Sequence, residues 1–379
     1  MENNDKPIGL YVHIPYCVNK CAYCDFKSFV GKEETSKAYF DVLRREIISQ
    51  RKENQKVNTI YIGGGTPSVI DPQYIKETLN SIRQSFELEE NSEISIECNP
   101  GTVTMDKLEV YKEAGINRIS IGLQSGIDEE LKTLGRIHRY KEYEEVIGNV
   151  VTTGFTNIST DIMLGIPGQT KESLHRTFDA LLSYPLTHIS VYSLSIEEGT
   201  PFFKQMQRGE LALPEEDSER EMYDLALEIL KENGFGQYEI SNFSKEGYEC
   251  RHNLKYWSAE EYLGFGLGAH SYMGDRRYWN CGTLEGYIST IERISIEAGY
   301  EYISTEESMR EYMILGLRLI SGVNINSFKE RYGAAPKEIF DDEIERLIKQ
   351  GLVKLSDSSI VLTRKGLDYA NIAFMEFVK

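Results

Sequence analysis

Up to about residue 200 the chain reads as short β-branched apolar runs separated by longer stretches of helical periodicity. The runs predict strands at Ile8–Ile14, Val57–Ile62, Glu93–Cys98, Asn117–Leu123, Asn157–Leu164 and Thr187–Leu194. Between the first two, Phe40, Leu43 and Ile47 recur at helical spacing and form one apolar stripe, with Thr35 placed to cap the helix. Pro72–Ser85 and Lys171–Ser183 repeat that pattern after later strands. Strands alternating with helices imply right-handed βαβ units around a parallel sheet. Six units are too few for a closed eight-fold barrel but enough for a curved one, a partial (β/α)6 barrel. An open doubly wound sheet is the alternative.

Residues 200–300 are aromatic-rich and glycine-rich, and read as an extension of the same domain, 1–300. The pattern changes in 301–379. Helices are predicted at Glu307–Ile320, Asn326–Tyr332 and Asp341–Gln350. Two short strands follow, Leu352–Leu355 and Ile360–Leu362, around the Asp357-Ser358-Ser359 turn, with a last helix from Lys365. Helices followed by a small hairpin suggest a winged-helix-like α+β domain. Its 11 Lys and Arg against 13 Asp and Glu argue for a packing or lid role rather than DNA binding.

The whole chain of 379 residues has 42 basic and 60 acidic residues, a formal charge of −18, so nucleic acid and anionic membrane surfaces are not its expected partners. No apolar run approaches the roughly 18 to 20 residues that span a bilayer. The opening Met-Glu-Asn-Asn-Asp-Lys lacks the basic and apolar regions of a secretion signal, so a cytoplasmic location is expected.

Three of the six cysteines, Cys17, Cys21 and Cys24, crowd into eight positions just after the first predicted strand; Cys98, Cys250 and Cys281 stand alone and read as buried small hydrophobes. In a reducing compartment a tight triplet reads as a metal or cluster site. Three thiolates on one loop can hold three irons of a 4Fe–4S cluster and leave the fourth open. A structural zinc would want a fourth ligand, for which His13 is nearby.

The spacing C-x3-C-x2-C after a first strand resembles the radical S-adenosylmethionine superfamily. Tyr11-Val-His-Ile-Pro-Tyr-Cys17 resembles its oxygen-independent coproporphyrinogen III oxidase-like branch, and the resemblance extends over nearly the whole chain. It implies a cluster on Cys17, Cys21 and Cys24, with the methionine end of S-adenosylmethionine on the open iron. It assigns Tyr11, Gly64 and Glu97 to that S-adenosylmethionine, and Tyr23, Gly65, Thr66, Gln124, Arg136 and Asp161 to a second such site. Ser195 and His270 stand at two later positions that touch the nucleoside in the oxidases; both are changed in type here, and no role is carried over to them. The glycines belong to Ile62-Gly63-Gly64-Gly65-Thr66-Pro67, which lacks both the dinucleotide fingerprint and the phosphate-loop lysine. Glu97, Gln124 and Asp161 lie at or near the ends of consecutive strands, where such sheets place their ligands.

Two features separate this chain from the oxidases. They carry a further cysteine where Phe26 stands here, and a longer segment before the first strand. His252-Asn253-Leu254-Lys255-Tyr256-Trp257 matches the H-N-x-x-Y-W signature of the heme-chaperone group of the branch. That implies heme as a third ligand, His252 as its axial ligand, and an unidentified acceptor protein. On the residues alone, an aromatic cluster packing the C-terminal domain against the barrel, with His252 as a hydrogen bonder, is the other reading. The functional alternative is a true radical enzyme acting on a porphyrin.

Overall fold

The computed structural model describes residues 6–51, 54–290 and 296–378; most of the opening run read above as lacking a secretion signal lies outside them. Each predicted strand is present: β1 (Ile8–Ile14), β2 (Lys56–Gly64), β3 (Glu87–Cys98), β4 (Arg118–Gln124), β5 (Asn157–Leu164) and β6 (His188–Ser193). They pair in parallel in that order. Helices such as Ser36–Ser49, Pro72–Ser85 and Lys171–Leu181 return the chain between them.

The extension is part of the same sheet. β7 (Gly236–Glu239) and β8 (Asn242–Ser244) add antiparallel strands beyond β6. β9 (Tyr262–Phe265) pairs in parallel with the free side of β1, so the parallel core has seven strands rather than six. β10 (His270–Met273), β11 (Arg276–Asn280) and β12 (Glu297–Tyr302) continue antiparallel. The order is β12-β11-β10-β9-β1-β2-β3-β4-β5-β6-β8-β7.

Alternate residues of a strand face opposite sides of its sheet. One set is apolar and buried: Leu10, Val12 and Ile14; Ile60 and Ile62; Ile94 and Ile96; Ile119, Ile121 and Leu123; Ile189 and Val191. These share one core with Phe40, Leu43 and Ile47 of the first helix, as the stripe requires. The other set is polar and meets across neighbouring strands. Tyr61 Oη donates to Glu97 (2.9 Å), Ser120 Oγ to Asp161 (3.4 Å), and Ser159 Oγ pairs with His188 Nδ1 (2.8 Å). The concave side is therefore lined with polar groups that hydrogen-bond to one another across the strands.

Local signals set the helix starts. Asp71 caps Pro72–Ser85 by accepting from Gln73 N, with Pro72 at the first position. Thr35 occupies the N-cap position of Ser36–Ser49 but does not cap it, because its hydroxyl donates to Lys32 O at 2.6 Å.

Beyond residue 300 come helices Thr305–Gly316, Ile325–Tyr332, Pro336–Ile339 and Asp341–Lys349, then Arg364–Asp368 and Ala370–Met375. The predicted hairpin is a three-stranded sheet, because Val323–Asn324 joins Ser359–Leu362 on the side away from Val353–Leu355. Met313, Phe328, Phe340, Ile344, Leu347 and Phe377 form a second core there. No described helix is long and apolar enough to cross a membrane.

Candidate functional site

The cysteine loop leaves the C-terminal end of β1 and is held on both sides. Tyr16–Cys17 pairs with Phe29–Val30. The middle of the loop is fastened to the segments that follow β4 and β6 by Ala22 N donating to Leu134 O (2.9 Å) and Phe202 N to Ala22 O (2.9 Å). Cys17 is buried with Sγ 3.5 Å from Thr66 Oγ1, while Cys21 and Cys24 are half-buried. Burial raises the Cys24 thiol, and the neighbouring Cys21 and Cys17 add to the rise. Among the described residues no three metal-ligating side chains converge as one ion would require; a cube takes each thiolate on a different iron. His13 is no fourth ligand. Its Nδ1 is bonded to Tyr11 Oη (3.0 Å) and its Nε2 to Lys27 O (2.9 Å).

The strand ends bring most of the other predicted residues to this loop. Glu97 accepts from Tyr61 Oη and from Gly64 N (3.1 Å), and burial pushes its carboxyl up to about 7. Gly64 has φ +114°, a conformation glycine adopts without strain. The glycine run is also sterically required by the protein itself. A Cβ on Gly64 would lie 2.5 Å from the His13 ring, and one on Gly65 would lie 2.7 Å from Tyr16 O and 3.1 Å from Cys17 Sγ. Close approach of a ligand is thus not the sole reason for these glycines.

Gln124 ends β4 with φ +76°, unusual outside glycine, and accepts from Tyr192 Oη at 2.5 Å. Such backbone strain persists where surrounding contacts hold it, here the Tyr192 hydrogen bond. Arg136 donates to Asn99 Oδ1 (3.2 Å) and Gly122 O (3.1 Å), and its buried Nε has no partner among the described residues. Thr66 accepts from Asn99 Nδ2 at 2.9 Å. Burial raises the Asp161 carboxyl, and hydrogen bonds from Ser190 and Ser120 and the charges of Arg118 and Arg136 work against that. Tyr23 lies close enough to Arg136 and Cys21 for both to act on its hydroxyl. Soft sulfur donors, a raised carboxyl and an orphaned guanidinium nitrogen suit a site-open cluster beside a zwitterionic ligand.

Asn99, Tyr61 and Tyr192 connect these groups and were not singled out from sequence. The available signal was period-two alternation. Tyr61 and Tyr192 occupy the same polar phase of their strands as Thr59 and Ser190, and Asn99 directly follows β3.

His252 lies elsewhere. Helix Arg251–Trp257 sits at the N-terminal ends of the parallel strands, away from the cysteine loop, with His252 N donating to Glu93 (3.2 Å), just before the pairing of β3 with β4 begins at Ser95. The imidazole is 1% exposed; Nδ1 is bonded to Thr59 Oγ1 and Nε2 to Tyr256 Oη, both at 2.9 Å. The ring stacks on Tyr61 at 5.4 Å, and burial lowers its pKa to about 3. Trp257 packs under the guanidinium of Arg318 (4.3 Å), which belongs to the C-terminal unit and pairs with Glu239 (3.6 Å). As packed, the motif joins the two parts of the chain, and iron could reach Nε2 only by breaking the Tyr256 bond.

The radical SAM superfamily model matches residues 11–181, and the HemN C-terminal domain model matches 303–369. The chain is 38% identical to heme chaperone HemW of Bacillus subtilis over 97% of its length and 98% of that protein, and 36% identical to heme chaperone HemW of Lactococcus lactis, over 98% of each. Its fold matches the coproporphyrinogen III oxidase HemN from Escherichia coli, with a TM-score of 0.85 and 22% identity over 99% of this chain and 90% of that one. With its cysteine loop at the strand ends and relatives matched from end to end, the chain belongs to the HemW heme-chaperone family of the radical SAM superfamily.

Proposed function

We propose that this protein binds heme and hands it to an acceptor protein, on a radical-SAM scaffold that holds a 4Fe–4S cluster and S-adenosylmethionine. The observation that carries the scaffold is the cysteine loop, whose Cys21 and Cys17 are near enough to act on the Cys24 thiol, at the same end of the parallel strands as the Glu97–Gly64 pair. When bound, the cluster and S-adenosylmethionine supply one-electron chemistry at an open iron. In this proposal Tyr11, Gly64 and Glu97 hold that S-adenosylmethionine. Tyr23, Gly65, Thr66, Gln124, Arg136 and Asp161 form the second site, where the free Arg136 Nε supports a carboxylate-bearing ligand. His252 enters as an iron ligand that becomes accessible when helix Arg251–Trp257 lifts. The barrel with its extension, 1–300, and the unit 301–379 act as two domains, and the work is done in the cytoplasm.

Phe26, 65% exposed beside the cysteine loop, favours chaperone over oxidase, since it cannot take the place of the oxidases' further cysteine. The test is anaerobic reconstitution, heme titration and an assay with coproporphyrinogen III, reductant and S-adenosylmethionine. The expected result is about four irons per chain, lost on changing any one of Cys17, Cys21 or Cys24 to Ala, saturable heme binding, and no protoporphyrinogen. Sustained decarboxylation without heme binding would replace this reading with the oxidase one.

A further inference from the structure

At the cysteine-loop end, two side chains carry buried nitrogens that no described residue satisfies. One is Arg136 Nε; the other is His138 Nε2, on a ring only 4% exposed. The two residues follow helix Asp128–Thr133, in the segment whose Leu134 O accepts from Ala22 N of the cysteine loop. Both side chains line a cavity of about 20 Å³, together with Cys21, Thr66 and Asn99. A buried polar atom left without a partner is costly, so a folded chain that keeps two at one cavity points to a group that meets them.

The two nitrogens need opposite partners. Arg136 Nε is a donor only, and the other guanidinium nitrogens are already placed on Asn99 Oδ1 and Gly122 O. The His138 ring makes a hydrogen bond to the backbone of Leu123. Assigned from that bond, the ring proton sits on Nδ1 and Nε2 carries a free lone pair. Burial, then the charge of Arg136, lower the imidazole pKa to about 4, so this lone pair stays bare at neutral pH. A simple carboxylate would satisfy the guanidinium and leave the imidazole unmet, because two acceptors do not bond. A simple cation would be repelled by Arg136. An α-amino acid brings both groups at once, an acceptor for Arg136 and a donor for His138. The cavity has room for one water-sized group, and an ammonium is such a group. No carboxylate lines it that would compete for the ammonium.

We infer that His138 Nε2 accepts a hydrogen bond from the α-ammonium of the ligand in the second site, while Arg136 Nε binds its carboxylate. This rests on the second-site reading above and adds a residue that senses the amino end of the ligand. The class of ligand follows: a molecule that ends in an α-amino acid, discriminated from one that ends in a carboxylate alone.

S-adenosylmethionine titrated into the anaerobically reconstituted full-length chain tests this. Electron paramagnetic resonance of the cluster follows the first equivalent, and equilibrium dialysis counts the second. L-methionine is expected to displace the second equivalent about tenfold better than its desamino analogue, which keeps the carboxylate and lacks the amino group. His138→Ala should weaken the second equivalent by about tenfold and abolish that preference, with the first-equivalent signal unchanged. His138→Gln, which keeps an acceptor, should restore part of both. If His138→Ala loses cluster iron, the preference measured on wild type decides. Equal displacement by the two compounds in wild type, or a preference that survives His138→Ala, would mean that water meets the lone pair; the assignment is then wrong while the second site stands. A wild type that binds a single equivalent would remove the second site and the role of His138 with it.

Discussion

Replacing His252 by alanine removes two hydrogen bonds and a stacked ring at once, and leaves Thr59 and Tyr256 hydroxyls facing a cavity. The expected cost is about 2–4 kcal/mol, read as a fall in the denaturation midpoint of the cluster-free chain. An unchanged midpoint would mean that the buried geometry is not the one in solution. Loss of the Soret band in this variant therefore reports on heme only when its melt is shown beside it. Glu46 gives a pH-dependent prediction. It accepts from Tyr287 Oη, Gly266 N and Asn280 Nδ2, and burial raises its carboxyl from 4.5 to about 7. The native state keeps a proton that the unfolded chain releases between those values. Its contribution is thus full below pH 4.5 and is lost as pH rises through 7, by up to about 3 kcal/mol. The buried histidines act in the opposite sense, so the stability difference between wild type and Glu46→Gln isolates the effect. A difference that stays flat from pH 4.5 to 7 would refute it.

At the scale of elements, the glycine run and the cysteine loop behave as one packed unit. A valine at Gly65 would drive into Tyr16 O and Cys17 Sγ, and one at Gly64 into the His13 ring at a φ that L residues avoid. Gly65→Val is therefore expected to lose cluster iron and sulfide, and not S-adenosylmethionine affinity alone. Iron retained at the wild-type level in anaerobically reconstituted Gly65→Val would show that the loop yields without moving Cys17. The alternating strands make the same point more broadly. Their apolar phase holds the helices in place, and their polar phase makes the Tyr61–Glu97, Tyr192–Gln124 and Ser120–Asp161 contacts of the concave side.

For the whole molecule, the joint between barrel and C-terminal unit combines the packing of Ile240 on the second core with a polar and aromatic cluster. Arg318 lies over Trp257 and pairs with fully buried Glu239, which also accepts from Ser241 N and Asn242 Nδ2. Arg318→Ala would leave that carboxylate without its countercharge, at a cost of about 2 kcal/mol or more. Faster proteolysis between Tyr302 and Thr305, with a lower melting midpoint, is the expected outcome. A variant as resistant as wild type would show that the apolar contacts alone hold the joint.

Sequence alone determined what depends on neighbours along the chain. Period-two and helical patterning placed β1 to β6 and helix Pro72–Ser85. The three-cysteine spacing identified the loop, because ligands to one cluster can be local in sequence. The tertiary structure decided what depends on contacts between distant residues. β9 joins β1 across some 250 positions, and that pairing sets His270 beside the cysteine-loop end. Trp257 meets Arg318, and Glu46 meets Asn280, through packing that no local pattern encodes. His252 and His270 show the limit most clearly. Each is a histidine in an aromatic-rich stretch, and only burial and hydrogen bonding distinguish the satisfied imidazole from the exposed one.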